Sequence, residues 1–251
     1  MNEQRHWNKI ADRYDEDIFD VFNSDRNGLL KKYFNKHANK KGTAIDFGCG
    51  NGRAFPYLSP RFREVTGADI SENLLKDAAG LGYKNVNLFH RDLAATETNL
   101  PNADFIFSCN VIMLPNPEAS IQMFRNVRLL MRKGAHALMV IPSTESMMFT
   151  AWTLTELYRK DGIHATDIDP DEFSYFSKNR SEIADGVFYI DGVPTRHYTA
   201  PQLEAITASV NLKITSLERL EYNWDSELAD PPKDLKAPYP WDWLMECKRK
   251  S

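Results

Sequence analysis

The stretch that decides the fold reads Ala44-Ile45-Asp46-Phe47-Gly48-Cys49-Gly50-Asn51-Gly52. An apolar strand ends here in three glycines at every second position, and a helix is predicted to begin after them. Glycine permits backbone angles that are closed to other residues and leaves room for a ligand against the main chain. In open α/β sheets, ligands bind at the carboxyl ends of the strands. The stretch therefore predicts a ligand-binding loop in an α/β fold.

A second signal follows about twenty residues downstream, the distance at which nucleotide-binding folds carry an acidic residue for the ribose hydroxyls. Here another predicted strand, Glu64 to Asp69, ends in a carboxylate. An aspartate after a strand is by itself equally well explained as a helix cap. The combination of Asp69 with the glycine loop favours a nucleoside ligand.

The glycine spacing separates two classes of nucleoside ligand. Dinucleotide enzymes place G-x-G-x-x-G before a helix that faces a pyrophosphate. Here Gly48, Gly50 and Gly52 form G-x-G-x-G, and Arg53 stands where the third dinucleotide glycine is expected. Asp46 adds a negative charge beside the loop. This pattern suits a cationic nucleoside better than a pyrophosphate.

The segment from Asp46 to Gly52 resembles the first motif of class I S-adenosylmethionine (SAM)-dependent methyltransferases. Further segments are similar to that family: Trp7–Tyr14, Asp69–Ser71, Arg91–Leu93, Asp104–Asn110 and Leu130–Ala135. The similarity of Trp7–Tyr14 is to the N-terminal lid helix of the small-molecule branch, which includes quinone-biosynthesis methyltransferases. The resemblance covers about residues 6–142 and 197–248.

The resemblance implies that SAM is the cofactor and S-adenosylhomocysteine the product. It implies roles for the glycines at the methionine part of SAM, for Asp46 at the ammonium and for Asp69 at the ribose. The full implied cofactor set is Tyr14, Asp46, Gly48, Cys49, Gly50, Asn51, Gly52, Asp69, Ile70, Asp92, Leu93 and Asn110. Tyr14 is equally well explained as a core tyrosine of an amphipathic helix.

Strands and helices alternate along the chain, which predicts a parallel sheet covered by helices on both faces. The predicted local elements include helices at about His6 to Phe22, from Arg53 to Leu58 and from Pro117 to Leu130, a strand from Val86 to His90, a turn at Lys133-Gly134, a hairpin with strands Val187 to Ile190 and Thr195 to Tyr198 around Asp191-Gly192, and a capping box from Thr199 to Gln202. With the resemblance, the expected fold is α/β: a Rossmann-like, seven-stranded, mostly parallel sheet whose last strand, Trp243 to Lys248, is antiparallel. We expect a single domain over residues 1–251, with lid helices in residues 1–40. Residues 143–197 would form a cap inserted between the fifth and sixth strands of this sheet, over the acceptor pocket.

Catalytic residues are hard to predict, because methyl transfer from a sulfonium needs positioning more than acid–base chemistry. Three side chains are weak candidates for a general base: His90, His197 and Tyr198. For each of them a structural role is the more common explanation. The cysteines lack metal-ligand spacing and the strand ends lack clustered carboxylates, so we predict no metal site.

Composition limits the partners. Lys and Arg number 31 and Asp and Glu 35, for a formal net charge of −4, which gives no electrostatic reason to expect nucleic acid. The N-terminus lacks an apolar signal core and no apolar run is long enough to insert in a membrane. We expect a cytoplasmic monomer or homodimer with reduced cysteines, acting on a small-molecule acceptor. The alternatives are a nicotinamide-dependent oxidoreductase and a SAM-binding protein without transferase activity.

Overall fold

The computed structural model describes residues 3–250, and its centre is a seven-stranded sheet. The strands of this sheet are β1 (Asn39–Phe47), β2 (Phe62–Asp69), β3 (Val86–His90), β4 (Ala103–Cys109), β5 (Met131–Pro142), β8 (Leu212–Glu221) and β9 (Trp241–Arg249). A separate hairpin consists of β6 (Val187–Ile190) and β7 (Val193–Arg196). The apolar runs that predicted strands are those that the sheet buries.

The order of the strands is β3-β2-β1-β4-β5-β9-β8. Strands β1 to β5 pair in parallel, whereas β9 is antiparallel to both of its neighbours, β5 and β8. This confirms the predicted fold class, including the antiparallel last strand. Chain connections reverse direction between β1 and β4, and ligands bind at such a switch point in open α/β sheets.

Ten α-helices surround the sheet in residues 3–250. They are α1 (Glu3–Ile10), α2 (Tyr14–Asp17), α3 (Val21–Ser24), α4 (Leu29–Lys36), α5 (Phe55–Leu58), α6 (Glu72–Gly80), α7 (Pro117–Leu130), α8 (Thr144–Lys160), α9 (Arg180–Ala184) and α10 (Ala200–Ser209). None of the helices in this part of the chain is both long and apolar enough to cross a bilayer. Ser71 caps α6 by accepting a hydrogen bond from the amide of Leu74, and Thr199 and Gln202 form the predicted capping box of α10.

Two apolar layers cover the two faces of the sheet. Along β9, Trp243, Met245 and Cys247 face the layer that contains α7 and α10, while Leu244 faces the layer that contains α4. This alternation is the two-residue period of a strand that is buried on both sides. The core thus fixes β9 between β5 and the edge strand β8.

The structure corrects four expectations from the sequence. The predicted helix from about His6 to Phe22 is broken into α1, a 3₁₀ turn, α2 and α3. The glycine loop is followed by only the four-residue α5, and the predicted turn at Lys133-Gly134 lies inside β5 at an irregular register. The second hairpin strand begins at Val193 rather than Thr195, which leaves Asp191-Gly192 as a two-residue turn with positive φ at both positions.

Candidate active site

A cavity of about 460 Å³ lies at the carboxyl edge of the sheet, next to the switch point. It is lined by residues from the ends of β1, β2 and β4, from the N-terminal helices, from the segment after β4 and from the hairpin. Those residues include Trp7, Tyr14, Gly48, Asp69, Ile70, Asp92, Leu93, Asn110, Met113, Leu114, Met123, Val193, Pro194 and Thr195. Seven of the predicted cofactor residues therefore share one cavity.

Neighbouring side chains pack so closely against the glycine loop that two of its glycines have no room for a Cβ atom. Gly48 and Gly50 have φ angles of +84° and +51°. A Cβ atom on Gly50 would lie 2.7 Å from the hydroxyl oxygen of Tyr14, and one on Gly48 would collide with the side chain of Val111. Any larger residue would therefore strain the backbone and displace the walls of the cavity.

Asp69 ends β2 with its carboxylate at the cavity, and the backbone fixes its orientation. One oxygen accepts a hydrogen bond from the amide of Gly50 at 2.8 Å, and the other accepts one from the amide of Ser71 at 2.8 Å. The residue is only 9% exposed, and burial raises the pKa of its carboxyl. A buried carboxylate with lone pairs to spare can accept hydroxyl groups of a bound nucleoside.

Asp46 lies behind the loop and is 2% exposed. Burial, and next the negative charge of Asp69, raise the pKa of its carboxyl to about 8. Its Oδ2 atom is buried and has no hydrogen-bond partner among residues 3–250, and the same holds for Oδ1 of Asn51 and Oδ1 of Asn110. The unpaired groups are therefore two amide oxygens and one carboxyl oxygen, which a ligand that brings donors or a cation would satisfy.

Asn110 connects the cavity to a second polar group at the sheet edge. It has a φ angle of +51°, and its amide donates a hydrogen bond of 3.0 Å to Oδ2 of Asp242 at the start of β9. The hydroxyl of Tyr222 donates to the same oxygen at 2.8 Å. Burial raises the pKa of the Asp242 carboxyl. A partly buried carboxylate thus adjoins the end of β4, where the cavity begins.

The N-terminal segment closes one side of the cavity and is held at two points. Oδ1 of Asn8 accepts a hydrogen bond of 2.7 Å from the hydroxyl of Ser71. Oδ1 of Asp15 accepts hydrogen bonds from Arg53 at 2.9 Å and from Asn51 at 2.9 Å. Arg53 also donates to the carbonyl oxygens of residues 18 and 19. Arg53, which stands where a dinucleotide site would have its third glycine, therefore holds this segment in place.

The remaining predicted cofactor residues lie around the cavity rather than on its wall. Asp46, Gly50, Asn51 and Gly52 belong to the loop and its supporting strand, and Cys49 packs away from the cavity with Phe55, Leu75 and Ala78. All three cysteines are free. Their roles toward a cofactor stay predictions.

None of the three catalytic candidates lines the cavity. His90 is exposed at the end of β3, where its Nε2 lies 2.9 Å from the carbonyl oxygen of Ile70. His197 is buried against Phe188, with Nδ1 3.2 Å from the carbonyl oxygen of Thr195, and burial lowers its pKa to about 4. Tyr198 is 1% exposed and packs against Phe124. Their positions favour structural roles.

Sequence reasoning missed much of the cavity wall. Met113 and Leu114 lie in the segment just after β4, so their place at the same sheet edge was a usable signal, and Met123 lies on the helix α7 that comes next. Val193, Pro194 and Thr195 come from the hairpin of the inserted stretch, which only long-range folding brings to the cofactor side. The inserted stretch thus reaches the cavity through its hairpin.

Comparison with known proteins agrees with this geometry. Residues 44–134 match a family model described as a methyltransferase domain. A SAM-dependent methyltransferase from Anabaena variabilis aligns over 99% of this chain and 93% of its own, with 18% identity and a TM-score of 0.64. The fold is that of the class I SAM-dependent methyltransferases.

Other solved structures share this methyltransferase fold. The CcbJ methyltransferase from Streptomyces caelestis aligns over 100% of this chain and 100% of its own, with 14% identity and a TM-score of 0.64. A structure described as a DhpI-SAM-HEP complex covers 98% of this chain and 95% of its own at 15% identity, with a TM-score of 0.63. A comparison with curated protein sequences found no match.

Proposed function

We propose that this protein is a SAM-dependent methyltransferase that acts on a small-molecule acceptor. The observation that carries the proposal is the set of unpaired, buried acceptor oxygens around the glycine loop, on Asp46, Asn51 and Asn110. SAM offers an ammonium and a sulfonium to such oxygens, and its positive charge would favour the ionised form of Asp46, whereas a pyrophosphate would be repelled by the carboxylate of Asp69. Helix α5, which follows the glycine loop, has only four residues. Dinucleotide sites instead have a longer helix at this place, whose N-terminus faces the pyrophosphate.

The residues present fit SAM. Gly48 and Gly50 would let its methionine part lie against the main chain, with Asp46 near the ammonium. The carboxylate of Asp69, already oriented by two backbone amides, would accept the ribose hydroxyls. Ile70, Asp92 and Leu93 would contact the adenine. When bound, SAM would supply a methyl group that an acceptor nucleophile attacks in line, with S-adenosylhomocysteine as the leaving group.

The protein's own contribution is position and exclusion of water. Holding two reactants at near-attack distance can supply roughly 7–11 kcal/mol of a barrier. Tyr14 and Trp7 close the cavity from the N-terminal side, and the hairpin residues Val193 and Pro194 close it from another. A volume of about 460 Å³ that is walled in this way suits a small acceptor better than a polymer. No general base is needed for an acceptor that is already unprotonated.

Calorimetry tests the cofactor part of the proposal. We expect SAM and S-adenosylhomocysteine to bind with one site per chain, and NAD not to bind. Turnover of methyl-labelled SAM against a panel of small metabolites then tests transfer. NAD binding without SAM binding would contradict the proposal, and SAM binding without transfer to any acceptor would leave a binding protein instead.

A further inference from the structure

Three potential metal ligands lie together on the α4 face of the sheet: His37 after α4, His136 on β5 and Glu246 on β9. Their nitrogen and oxygen ligand atoms all lie within 4.8 Å of one another. His136 is six residues before Pro142, so the cluster lies roughly 20 Å along β5 from the carboxyl edge that carries the cavity. The cluster is therefore separate from the candidate active site.

The carboxylate of Glu246 is the centre of the cluster. Its Oε1 atom lies 2.6 Å from Nε2 of His37 and 2.9 Å from Nδ1 of His136. The side chains of Glu246 and His37 are only 3% and 9% exposed, while that of His136 is 22% exposed. The two histidine rings pack against each other at an interplanar angle of 42°, with centroids 4.4 Å apart, and the ring of His37 stacks on Phe105. The donors are thus fixed by packing, with a solvent path past His136.

One contact in the cluster is closer than an ordinary hydrogen bond. Nε2 of His37 lies 2.6 Å from Oε1 of Glu246, and this nitrogen makes no hydrogen bond of regular geometry within residues 3–250. Two electronegative atoms so close repel each other unless a proton or a cation lies between or beside them. A cation beside the pair would relieve the repulsion and use the free nitrogen.

We propose that His37, His136 and Glu246 form a binding site for a zinc-type divalent transition metal, with water as the fourth ligand. Two imidazoles and one carboxylate are a donor set that zinc uses in open sites. Zinc bonds of about 2.0–2.1 Å place tetrahedral ligands roughly 3.3 Å apart, so the present atoms need shifts of less than about 1 Å each.

Lys36 places a positive charge next to the proposed metal site. Its Nζ atom lies 2.8 Å from Oε2 of Glu246, which leaves Oε1 for monodentate coordination. The lysine side chain is 50% exposed and can turn toward solvent as a dication enters. The bound metal would tie the end of α4 to the neighbouring strands β5 and β9, and so hold α4 to the sheet.

The test uses the full-length protein after treatment with a chelator. We expect isothermal titration with Zn²⁺ to give one site per chain, and Co²⁺ to give the intense visible absorption of a tetrahedral complex. Zn²⁺ should also raise the melting temperature, since a ligand that binds the folded state stabilises it. His136→Gln and His37→Gln should each weaken Zn²⁺ binding at least about tenfold.

His164→Gln is the matched control, because His164 is exposed and distant in sequence from the cluster; it should bind Zn²⁺ like the parent protein. Circular dichroism of each variant shows whether it is folded, and His136→Gln removes the most exposed ligand. Absence of Zn²⁺ binding to the parent protein would overturn the proposal. Equal Zn²⁺ affinity in the parent and in folded His136→Gln and His37→Gln would overturn it as well.

Discussion

Asp69 is the residue on which nucleoside binding should depend most directly. Two backbone amides hold its carboxylate at the cavity, so it is oriented before any ligand arrives. We expect Asp69→Ala to weaken SAM binding at least about tenfold, since one lost charge-assisted bond exceeds roughly 1.4 kcal/mol. Calorimetry measures the effect. Asp77→Ala, on the exposed side of α6, is the control and should bind SAM normally; unchanged affinity in Asp69→Ala would remove Asp69 from the site.

Asp46 should couple cofactor binding to pH. Its carboxyl has a pKa of about 8 in the ligand-free protein, so it is mostly protonated at pH 7. A cationic ammonium nearby favours the ionised form and lowers that pKa. Binding should therefore release nearly one proton at pH 7, and SAM affinity should rise with pH up to about 8.

The proton release is measured as a difference in binding enthalpy between buffers of low and high ionisation enthalpy. Asp46→Asn cannot ionise and should lose most of that difference while keeping the shape of the site. A buffer dependence that is the same in the parent protein and in Asp46→Asn would show that the proton comes from elsewhere.

At the scale of elements, the segment from α1 to α3 lines one side of the cavity and is bound by side chains rather than by a core, and we propose that it serves as a cover. Only Ala11 and Val21 of α1, the 3₁₀ turn, α2 and α3 are buried. Helix α1 is joined to α6 through Asn8, and α2 to the glycine loop through Asp15. Segments with few buried contacts open at low free-energy cost, so this cover is suited to admit and release a ligand.

Arg53 should control how fast the cover opens. We expect Arg53→Ala to speed hydrogen exchange in residues 14–24 and to raise the dissociation rate of SAM, because it removes the hydrogen bonds to Asp15 and to the carbonyl oxygens of Ile18 and Phe19. Hydrogen exchange in α7 should not change. Arg63→Ala, an exposed arginine on β2, is the matched control. Slow exchange in residues 14–24 of Arg53→Ala would mean that other contacts hold the cover.

The elements that sequence reasoning predicted well have short-range causes. Strand β3 and helix α7 have the predicted bounds, since an apolar run and an Asn116 cap with a following proline define them locally. The prediction of one continuous N-terminal helix was wrong. The apolar spacing continues past Ile10, but contacts with Ser71 and Arg53 bend the chain there. Gly134 lies within β5 in an irregular stretch between Met131 and His136, the two residues on either side that pair with β4, and its φ of +83° is the positive angle that a turn glycine adopts.

At the scale of the whole molecule, His197 should make the fold sensitive to acid. Its folded pKa of about 4 lies below its ordinary value of 6.5 because it is buried. Below pH 6.5 the unfolded chain gains a proton that the folded protein excludes until about pH 4. Stability should therefore fall across that window, by up to about 3 kcal/mol from this group.

Chemical unfolding between pH 7 and pH 4 measures this contribution. His197→Gln should flatten the fall, even if it lowers stability at pH 7, whereas the exposed control His164→Gln should leave the pH profile unchanged. The same pH slope in His197→Gln as in the parent protein would show that other groups cause the acid sensitivity.

The sequence by itself determined the alternation of strands and helices and the glycine loop with Asp46 and Asp69, because these depend on apolar runs and on glycines within a few residues of each other. The antiparallel last strand was expected only from the family resemblance, and the order of the strands in the sheet came from the structure. Only the tertiary structure decided which residues surround the cavity and which histidines are buried away from it. It also brought His37, His136 and Glu246 together from distant parts of the chain. Those juxtapositions follow from packing of β9 between β5 and β8, and such long-range packing has no signature in local sequence.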